Sequence, residues 1–537
     1  MAPIKHGNSS VELVSGRTLF DYADALKIRV PTSCGRSGKC HECIVEVHNG
    51  MDAICDLTNE EEFLRGNYRL ACQATVVNPG VEIDFGVLRR QPKILEDSIN
   101  REVKLDPMTF RKGDYIYFQD NRIDTYRGSI IGLAIDLGTT SVVINLTDLE
   151  SGSTLHRASF ENPQRFGGSD IMHRISYDGG VYGGELQKVI VSSINFEIGE
   201  MCKRLKLRRR QIYEAVVVGN STMRDILFGV DVQSIGEKPY KSLTELDMER
   251  SERSTTSLNS KAVELGVRIF PDANIYSGPL LSCHVGADVA ADLLAIGMDT
   301  QENVVMLVDV GTNTEVVVGN RDKMLVASCP AGPAFEGGQV TFGMPGYNGA
   351  IESVQINGDD ISYRTIGGLV PQGICGSGLV DLLAELRRNR MMNALGVFAD
   401  GSDRVMLGVD QEMYLSRSDV SSLAQAKSAN YSGQKIILDR YGITANKIAT
   451  LYLAGGFANY VNVENAMSIG FIANVRLDRV VKVGNAALKG AEIMLISGGM
   501  RQVVESMAQR IEHVELETSS DFFDIFVDGC QFNPMDA

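Results

Sequence analysis

The chain lacks any apolar run of roughly eighteen residues, so nothing in it reads as a membrane-spanning helix. Its opening residues, Met1-Ala-Pro-Ile-Lys-His6, carry no signal-peptide core, and a cytoplasmic location is expected. Positive charge is in deficit. Lys and Arg number 52 against 68 Asp and Glu, a net charge of −16, which argues against non-specific nucleic-acid binding. No low-complexity tract occurs, and the cysteines do not form a disulfide framework. Six of the ten are scattered, at Cys55, Cys202, Cys283, Cys329, Cys375 and Cys530, and in a large cytosolic chain such residues read as buried thiols. What remains is ordinary globular composition, 44% hydrophobic and 22% charged over 537 residues, enough for about two to four domains.

The other four cysteines are grouped. Cys34, Cys40 and Cys43 follow C-x5-C-x2-C within Thr32-Ser-Cys-Gly-Arg-Ser-Gly-Lys-Cys-His-Glu-Cys43, and Cys72 arrives in Arg69-Leu-Ala-Cys72-Gln. Three thiolates on a tight loop plus one distant thiolate suit a [2Fe–2S] cluster, two ligands to each iron. Gly35 and Gly38 let the loop curl so that backbone N–H groups can point at the sulfides. Zinc is the chemical alternative, but zinc ribbons bring two C-x2-C pairs and here Cys72 stands alone. Around the loop, 11–14, 44–48 and 81–85 alternate as strands, 19–26 has helical spacing, and 57–64 reads as a short capped helix. His41 and His48 are expected to face solvent. This unit resembles the β-grasp fold of plant- and adrenodoxin-type ferredoxins, an α+β arrangement, with a first gap closer to the adrenodoxin spacing.

Beyond a charged stretch at 89–128, expected to be a semi-ordered connector along which the first unit could swing, the pattern becomes α/β. Ile131-Gly-Leu-Ala-Ile-Asp136-Leu-Gly138-Thr139-Thr140 runs into a β-branched strand, and Val304-Val-Met-Leu-Val-Asp309-Val-Gly311-Thr312-Asn313-Thr314 repeats it. A duplicated hairpin is the strongest organisational signal in the chain. Its Gly-Thr turn presents N–H groups and hydroxyls to an anion. The aspartate ending the first strand can reach Mg²⁺ through water. Two such hairpins would clamp one nucleotide's phosphates. A lone Asp-x-Gly-Thr could be an ordinary turn; two copies call for a duplicated fold.

These hairpins resemble the phosphate motifs of the ASKHA superfamily of actin-like ATPases, with a duplicated RNase H-like fold. Leu451-Tyr-Leu-Ala-Gly455-Gly456-Phe457-Ala-Asn459 matches its adenosine motif. Two helices rich in small residues, from Gly286 and from Gly484, match its inter-domain pair, the plainer reading of each being tight packing. Glu336 in Ala331-Gly-Pro-Ala-Phe-Glu-Gly is placed near nucleotide or magnesium, and Gly376-Ser377 open a helix whose N-terminus favours an anion. Asp136, Asp309 and Glu336 are therefore the candidate catalytic residues. Gly138, Thr139, Thr140, Gly311, Thr312, Asn313, Gly376, Ser377, Gly455 and Gly456 are the candidate nucleotide ligands.

A ferredoxin-like start joined to an ASKHA half resembles the ATP-dependent reductive activators of corrinoid proteins. The blocks Asn162-Pro-Gln, Gly219-Asn-Ser-Thr-Met and Leu453-Ala-Gly-Gly-Phe carry the resemblance along nearly the whole chain. It implies one-electron reduction of corrinoid cobalt(II) to cobalt(I) for a methyltransferase system, with a [2Fe–2S] cluster, ATP and Mg²⁺ as cofactors. The implied partners are a corrinoid-binding protein and a low-potential electron donor, without nucleic acid or membrane, and a homodimer is one assembly left open. Expected boundaries are 1–88 for the cluster domain, 89–128 for the connector, and 129–284 and 285–537 for the two ASKHA lobes. Thr314 stands where many relatives are expected to carry glycine, and 241–271 looks divergent. Competing readings are an activator of a radical 2-hydroxyacyl-CoA dehydratase, a metabolite kinase with an accessory iron–sulfur domain, and a redox-sensing chaperone.

Overall fold

The structure, a computed structural model, describes residues 2–6, 9–88, 99, 101–282, 284–311, 313–332, 334–358, 360–408, 413–456 and 460–535. These fall into two compact units, one within Met1–Gln91, Pro107–Val217 and Thr222–Ser277, the other within Pro92–Asp106, Val218–Ser221 and Gly278–Ala537.

The first unit begins with β1 (Pro3–His6), β2 (Ser9–Glu12), α1 (Leu19–Ala25), β3 (Ile44–Asn49), β4 (Tyr68–Leu70) and β5 (Ile83–Val87). The sheet order is β2-β1-β5-β3-β4, with β1 and β5 parallel, the β-grasp arrangement. α1 starts on a reciprocal Thr18–Asp21 capping box and buries Leu19, Phe20, Tyr22 and Ala23. The helix expected at 57–64 is a single 3-10 turn, Asn59–Glu61, capped by Thr58. Glu61 is drawn inward to a buried ion pair with Arg69, which consumes the face a longer helix would have exposed.

The stretch expected to be a semi-ordered connector contains an antiparallel meander of β6 (Thr109–Lys112), β7 (Tyr115–Phe118) and β8 (Asn121–Thr125); residues 89–98 and 100 lie outside the described residues. Ile116 is fully buried, and the buried Thr109 hydroxyl donates to Glu214 at 2.7 Å. That apolar and polar anchoring is why the segment is ordered there.

Next come β9 (Ile131–Leu137), β10 (Ser141–Asp148), β11 (Thr154–Glu161), α2 (Ile171–Asp178), α3 (Glu185–Leu205), β12 (Ile212–Val218), the short helices α4 (Ser221–Phe228), α5 (Gln233–Gly236) and α6 (Leu243–Glu249), β13 (Leu258–Lys261) and β14 (Asn274–Ser277). The sheet runs β11-β10-β9-β12-β14-β13. β12 is buried along its whole length, as expected of a strand covered on both faces.

The second unit contributes α7 (Ala287–Ala295), β15 (Val305–Val310), β16 (Thr314–Gly319), β17 (Met324–Cys329), β18 (Ala350–Asn357), β19 (Asp360–Thr365), β20 (Gly373–Ile374), α8 (Gly376–Arg388), β21 (Arg404–Met406), β22 (Tyr414–Ser416), α9 (Arg417–Tyr441), β23 (Leu451–Ala454), α10 (Val463–Ser468), β24 (Val480–Gly484), α11 (Ala486–Ile496), α12 (Gly498–Arg510), β25 (Ile511–His513) and α13 (Phe522–Gly529). Its main sheet runs β24-β23-β15-β16-β17-β25. In each of the two sheets the hairpin's first strand is central, its second and third strands lie on one side, and later strands lie on the other. These are β12, β14 and β13 in the first sheet and β23 and β24 in the second, where β25 extends the hairpin side. The duplicated ASKHA architecture is thus present in both halves.

The turns differ by one residue. Leu137 pairs with Val142, leaving 138–141 between them, whereas Val310 pairs with Thr314, leaving 311–313. Thr314 therefore belongs to a strand and is buried. α7 and α11 cross at van der Waals contact: a side chain on Gly490 would meet the Ala291 carbonyl oxygen at 2.0 Å.

Candidate functional site

The loop Cys34–Cys43 turns through four left-handed residues, Gly35 (φ 65°), Arg36 (φ 68°), Gly38 (φ 80°) and His41 (φ 57°). Successive left-handed turns of this kind form concave N–H nests that hold anions, iron–sulfur centres among them. At Gly38 a side chain would also meet Glu60 Cβ at 2.9 Å. Cys43 and Cys72 are buried, Cys34 and Cys40 half-buried. The Cys43 thiol donates to Cys72 Sγ at 3.4 Å, and Gln73 Nε2 donates to the same sulfur at 3.3 Å. The hydrogen bond with Cys72, reinforced by burial, pushes the Cys43 thiol up. From the other side that bond, opposed by burial and aided by Gln73 and the Gly38 N–H, brings Cys72 down to about 7. Burial raises Cys34, but hydrogen bonds with Ser37 and Cys40 outweigh it and bring that thiol to about 6; burial raises Cys40. Each pair of sulfurs thus contains one that ionises near neutrality, and thiolate is the form that binds iron. The four thiols stand as two contacting pairs, Cys34 with Cys40 and Cys43 with Cys72, the donor type that a [2Fe–2S] cluster takes.

Two residues outside the ligand set position Cys72. Arg69, one of the largest fully buried side chains, donates from Nε to Glu61 at 2.9 Å and from Nη2 at 3.0 Å. Glu61 also accepts from the Leu70 N–H at 2.8 Å. The pair locks the strand that leads into Cys72.

In the first hairpin, Asp136 is the penultimate residue of β9 and half-buried, and Thr139 is buried beside the more exposed Thr140. The three turn carbonyls are all held from one side: Asn162 Nδ2 donates to Gly138 O and its N–H to Thr140 O, both at 2.8 Å, while Arg174 Nη2 donates to Thr139 O at 2.7 Å. Across a trans peptide the carbonyl and the following N–H point opposite ways, so the N–H groups of Thr139, Thr140 and Ser141 point away from the donors that hold the carbonyls of their own peptides. Asn162 belongs to the Asn162-Pro-Gln motif; Arg174 carries no sequence signal.

In the second hairpin, the Gly311 N–H donates to Asn313 O at 3.0 Å; Thr312 lies outside the described residues. Burial raises the Asp309 carboxyl against a hydrogen bond with Asp292. Burial, then the charges of Asp288 and Asp309, raise Glu315 well above the usual range, and Ser328 donates to it at 3.2 Å. Asp288, Asp292 and Glu315 are missed by motif reading, because two lie on a helix i, i+4 apart and the third is cross-strand from Asp309. Burial thus raises both Asp309 and Glu315, and at Glu315 the neighbouring carboxylate charges add to it. The adenosine-motif turn meets this hairpin directly. Gly455 (φ 99°) could carry no side chain, since a Cβ would lie 2.2 Å from Val310 O and 2.8 Å from Asp309 Oδ1, whereas Gly456 faces open space. Residues 457–459 lie outside the described residues.

Gly376 and Ser377 open α8 and are buried against β18, where the Ser377 hydroxyl donates to Glu352 O at 2.8 Å. Glu336 ends the short 3-10 turn Ala334–Glu336, half-buried. His41 does not face solvent as expected: its Nδ1 lies 2.6 Å from Glu185 and its ring stacks on Phe63 at 4.0 Å. His48, with a side chain 32% exposed, sits between Glu46 and Asp84.

Comparisons with known proteins follow the same division. Residues 4–77 match the 2Fe-2S iron-sulfur cluster binding domain, residues 131–301 the RACo middle region, and residues 303–537 the C-terminal domain of RACo, the ASKHA domain. The chain is 29% identical to the corrinoid activation enzyme RamQ of Eubacterium limosum, covering 93% of both chains. It is 24% identical to the [Co(II) methylated amine-specific corrinoid protein] reductase of Methanosarcina barkeri, over 74% of this chain and 76% of that one. A solved structure of a reductive activator for corrinoid, iron-sulfur protein aligns with TM-score 0.71 and 26% identity, covering 100% of this chain and 99% of the other. Fold and matches together define an ASKHA-type ATPase carrying an N-terminal [2Fe–2S] domain. Within that class, the chain belongs to the family of ATP-dependent reductive activators of corrinoid proteins.

Proposed function

We propose that this chain reduces the cobalt of a corrinoid protein from cobalt(II) to cobalt(I), one electron at a time and at the expense of ATP, within a methyltransferase system. The observation that carries the reading is the union on one chain of a four-thiol nest and a duplicated Asp-x-Gly-Thr hairpin, in a chain that aligns with RamQ over 93% of both lengths.

Cys34, Cys40, Cys43 and Cys72 would hold the cluster, which when bound supplies a one-electron donor near about −400 mV if it behaves as plant-type centres do. The N–H groups of Thr139, Thr140, Thr312 and Asn313 would take the phosphates, with Gly138 and Gly311 closing the turns through their own N–H bonds to Ser141 O and Asn313 O. Gly455 and Gly456 would let purine and ribose lie against bare backbone. Asp136 and Asp309 would orient Mg²⁺ through its water shell, with Glu336 a third carboxylate for that ion. Because the Ser377 hydroxyl already serves Glu352 O, Gly376 and Ser377 would act through the backbone N–H groups that open α8.

ATP is needed because the family's cobalt(II) is harder to reduce than such a cluster. An uphill gap of 100 mV for one electron is about 2.3 kcal/mol, well within what ATP hydrolysis supplies. A low-potential donor would reload the four-cysteine domain between turnovers. The test is anaerobic absorption spectroscopy of a corrinoid protein mixed with this protein and reductant: cobalt(I) should form with ATP present and not without it. Iron content and the EPR type of the cluster separate this reading from the dehydratase activators, which bridge a [4Fe–4S] cluster between subunits.

A further inference from the structure

The segment 162–177 has two working ends. At one, Asn162 and Arg174 hold all three carbonyls of the Gly138–Thr140 turn. At the other, four residues along from Asn162 and three along from Arg174, Phe166 and Tyr177 engage the cluster domain. Tyr177 Oη donates to Phe63 O at 2.6 Å, and the Phe166 ring meets the Phe63 ring edge-on at 5.4 Å. Phe166 and Tyr177 also pack edge-on against each other at 5.4 Å, and Arg65 lies 4.6 Å over the Tyr177 ring. Phe63, Phe166 and Tyr177 are all buried.

Phe63 is in turn stacked on His41, which stands between Cys40 and Cys43 in the chain. Glu185 at the start of α3 reaches His41 Nδ1, and further along the same helix Glu200 pairs with Arg29 of the cluster domain. The middle of the segment is stiff. Arg174 Nε donates to Gly168 O at 3.0 Å and Nη1 reaches Met223 Sδ at 3.0 Å, while Gln164 Nε2 donates to Leu186 O at 3.1 Å.

We propose that residues 162–177 couple occupancy of the Gly138–Thr140 turn to docking of the iron–sulfur domain through Phe63 and His41. The inference rests on the nucleotide reading of that turn. Its sign follows from hydrogen-bond cooperativity. An anion accepting from the turn's N–H groups polarises the same peptides and makes their carbonyls better acceptors. The bonds from Asn162 and Arg174 then tighten, the segment stiffens, and the cluster domain docks more firmly. Linkage makes the effect reciprocal: docking strengthens nucleotide binding by the same factor by which nucleotide strengthens docking, so a change that loosens the dock weakens nucleotide binding by up to that factor. Tyr177 and Phe166 are positioning residues, acting through the turn and not on the ligand.

The experiment uses the full chain with its cluster reconstituted, a non-hydrolysable ATP analogue with Mg²⁺, calorimetry for nucleotide affinity, and hydrogen exchange followed by mass spectrometry at residues 60–68. In the parent chain the analogue should slow exchange at 60–68 severalfold. Tyr177→Phe, which keeps the ring and removes the bond to Phe63 O, should abolish that protection and weaken analogue binding by about threefold or more, with cluster absorbance unchanged. Arg65→Ala, a change at an exposed residue of the cluster domain, should shift both readouts in the same direction by less, and decides the matter if Tyr177→Phe fails to fold. Analogue binding with no change in exchange at 60–68, or with affinity unaffected by either substitution, would overturn the coupling alone. Absence of analogue binding to the parent chain would overturn the nucleotide reading of the turn, and the coupling with it.

Discussion

Cys72 shows how far a single residue can be read from spacing. Its candidacy as a cluster ligand is visible because the other three thiols sit on one short loop, and ligand spacing is a local property. What holds it there is not visible: Glu61 and Arg69 find each other across a turn and a strand. His41 is harder still, since its carboxylate partner lies 144 residues away. Replacing Cys72 with serine should remove the visible absorbance of the cluster and stop electron delivery, while nucleotide binding, measured by calorimetry, is retained, its affinity falling by no more than the coupling between docking and nucleotide allows. Loss of nucleotide binding in a folded Cys72→Ser chain would mean that the two activities are not separable. A second residue invites a pH test. Lys427 is fully buried in α9, donating to Gln531 O at 2.6 Å and Ile469 O at 3.0 Å, and burial lowers its amine from 10.5 to about 7. Between those values the unfolded chain holds the proton and the folded chain does not. The contribution of Lys427 to stability therefore rises with pH across the window, is lost as pH falls towards 7, and is flat below. Each pH unit is worth up to about 1.4 kcal/mol. Denaturant titrations of the parent and Lys427→Met chains from pH 7 to 10 should diverge with pH; parallel curves would refute the assignment.

Among the elements, the duplicated hairpins were the most legible. Strand, aspartate, Gly-Thr turn and β-branched strand recur with so little change that their shared topology follows from the residues. The one-residue difference between the turns was hidden, because pairing register depends on which backbone groups meet and not on residue type. The meander at 109–125 was missed for another reason. β6 buries only Thr109 of its four residues, so the alternation that marks a half-buried strand is absent. The small-residue helices behaved as tight packing requires. Gly490→Val would place a side chain where only the Ala291 carbonyl fits, and overpacking of this kind typically costs about 1–3 kcal/mol. The unfolding midpoint of that variant should fall accordingly. An unchanged midpoint would show that α7 and α11 can separate without loss.

For the molecule as a whole, domain order carried more information than any one motif. A four-thiol nest alone implies only an electron carrier, and an Asp-x-Gly-Thr turn alone implies only an anion site. Joined, with matches to the cluster-binding domain, the RACo middle region and the RACo ASKHA domain in sequence, they make an ATP-dependent electron donor. What composition and spacing could not supply was the packing of the cluster domain on α2 and α3, which depends on Phe63, Phe166, Tyr177 and Glu185, none of them in a recognisable pattern. The most direct test of the account follows cobalt oxidation state in a corrinoid protein under strict anaerobiosis, with reduced activator in excess and ATP added last. The account predicts no cobalt(I) absorption until ATP is added, growth of that absorption afterwards, and none with Cys72→Ser. Cobalt(I) forming at the same rate without ATP, or never forming with it, would contradict it.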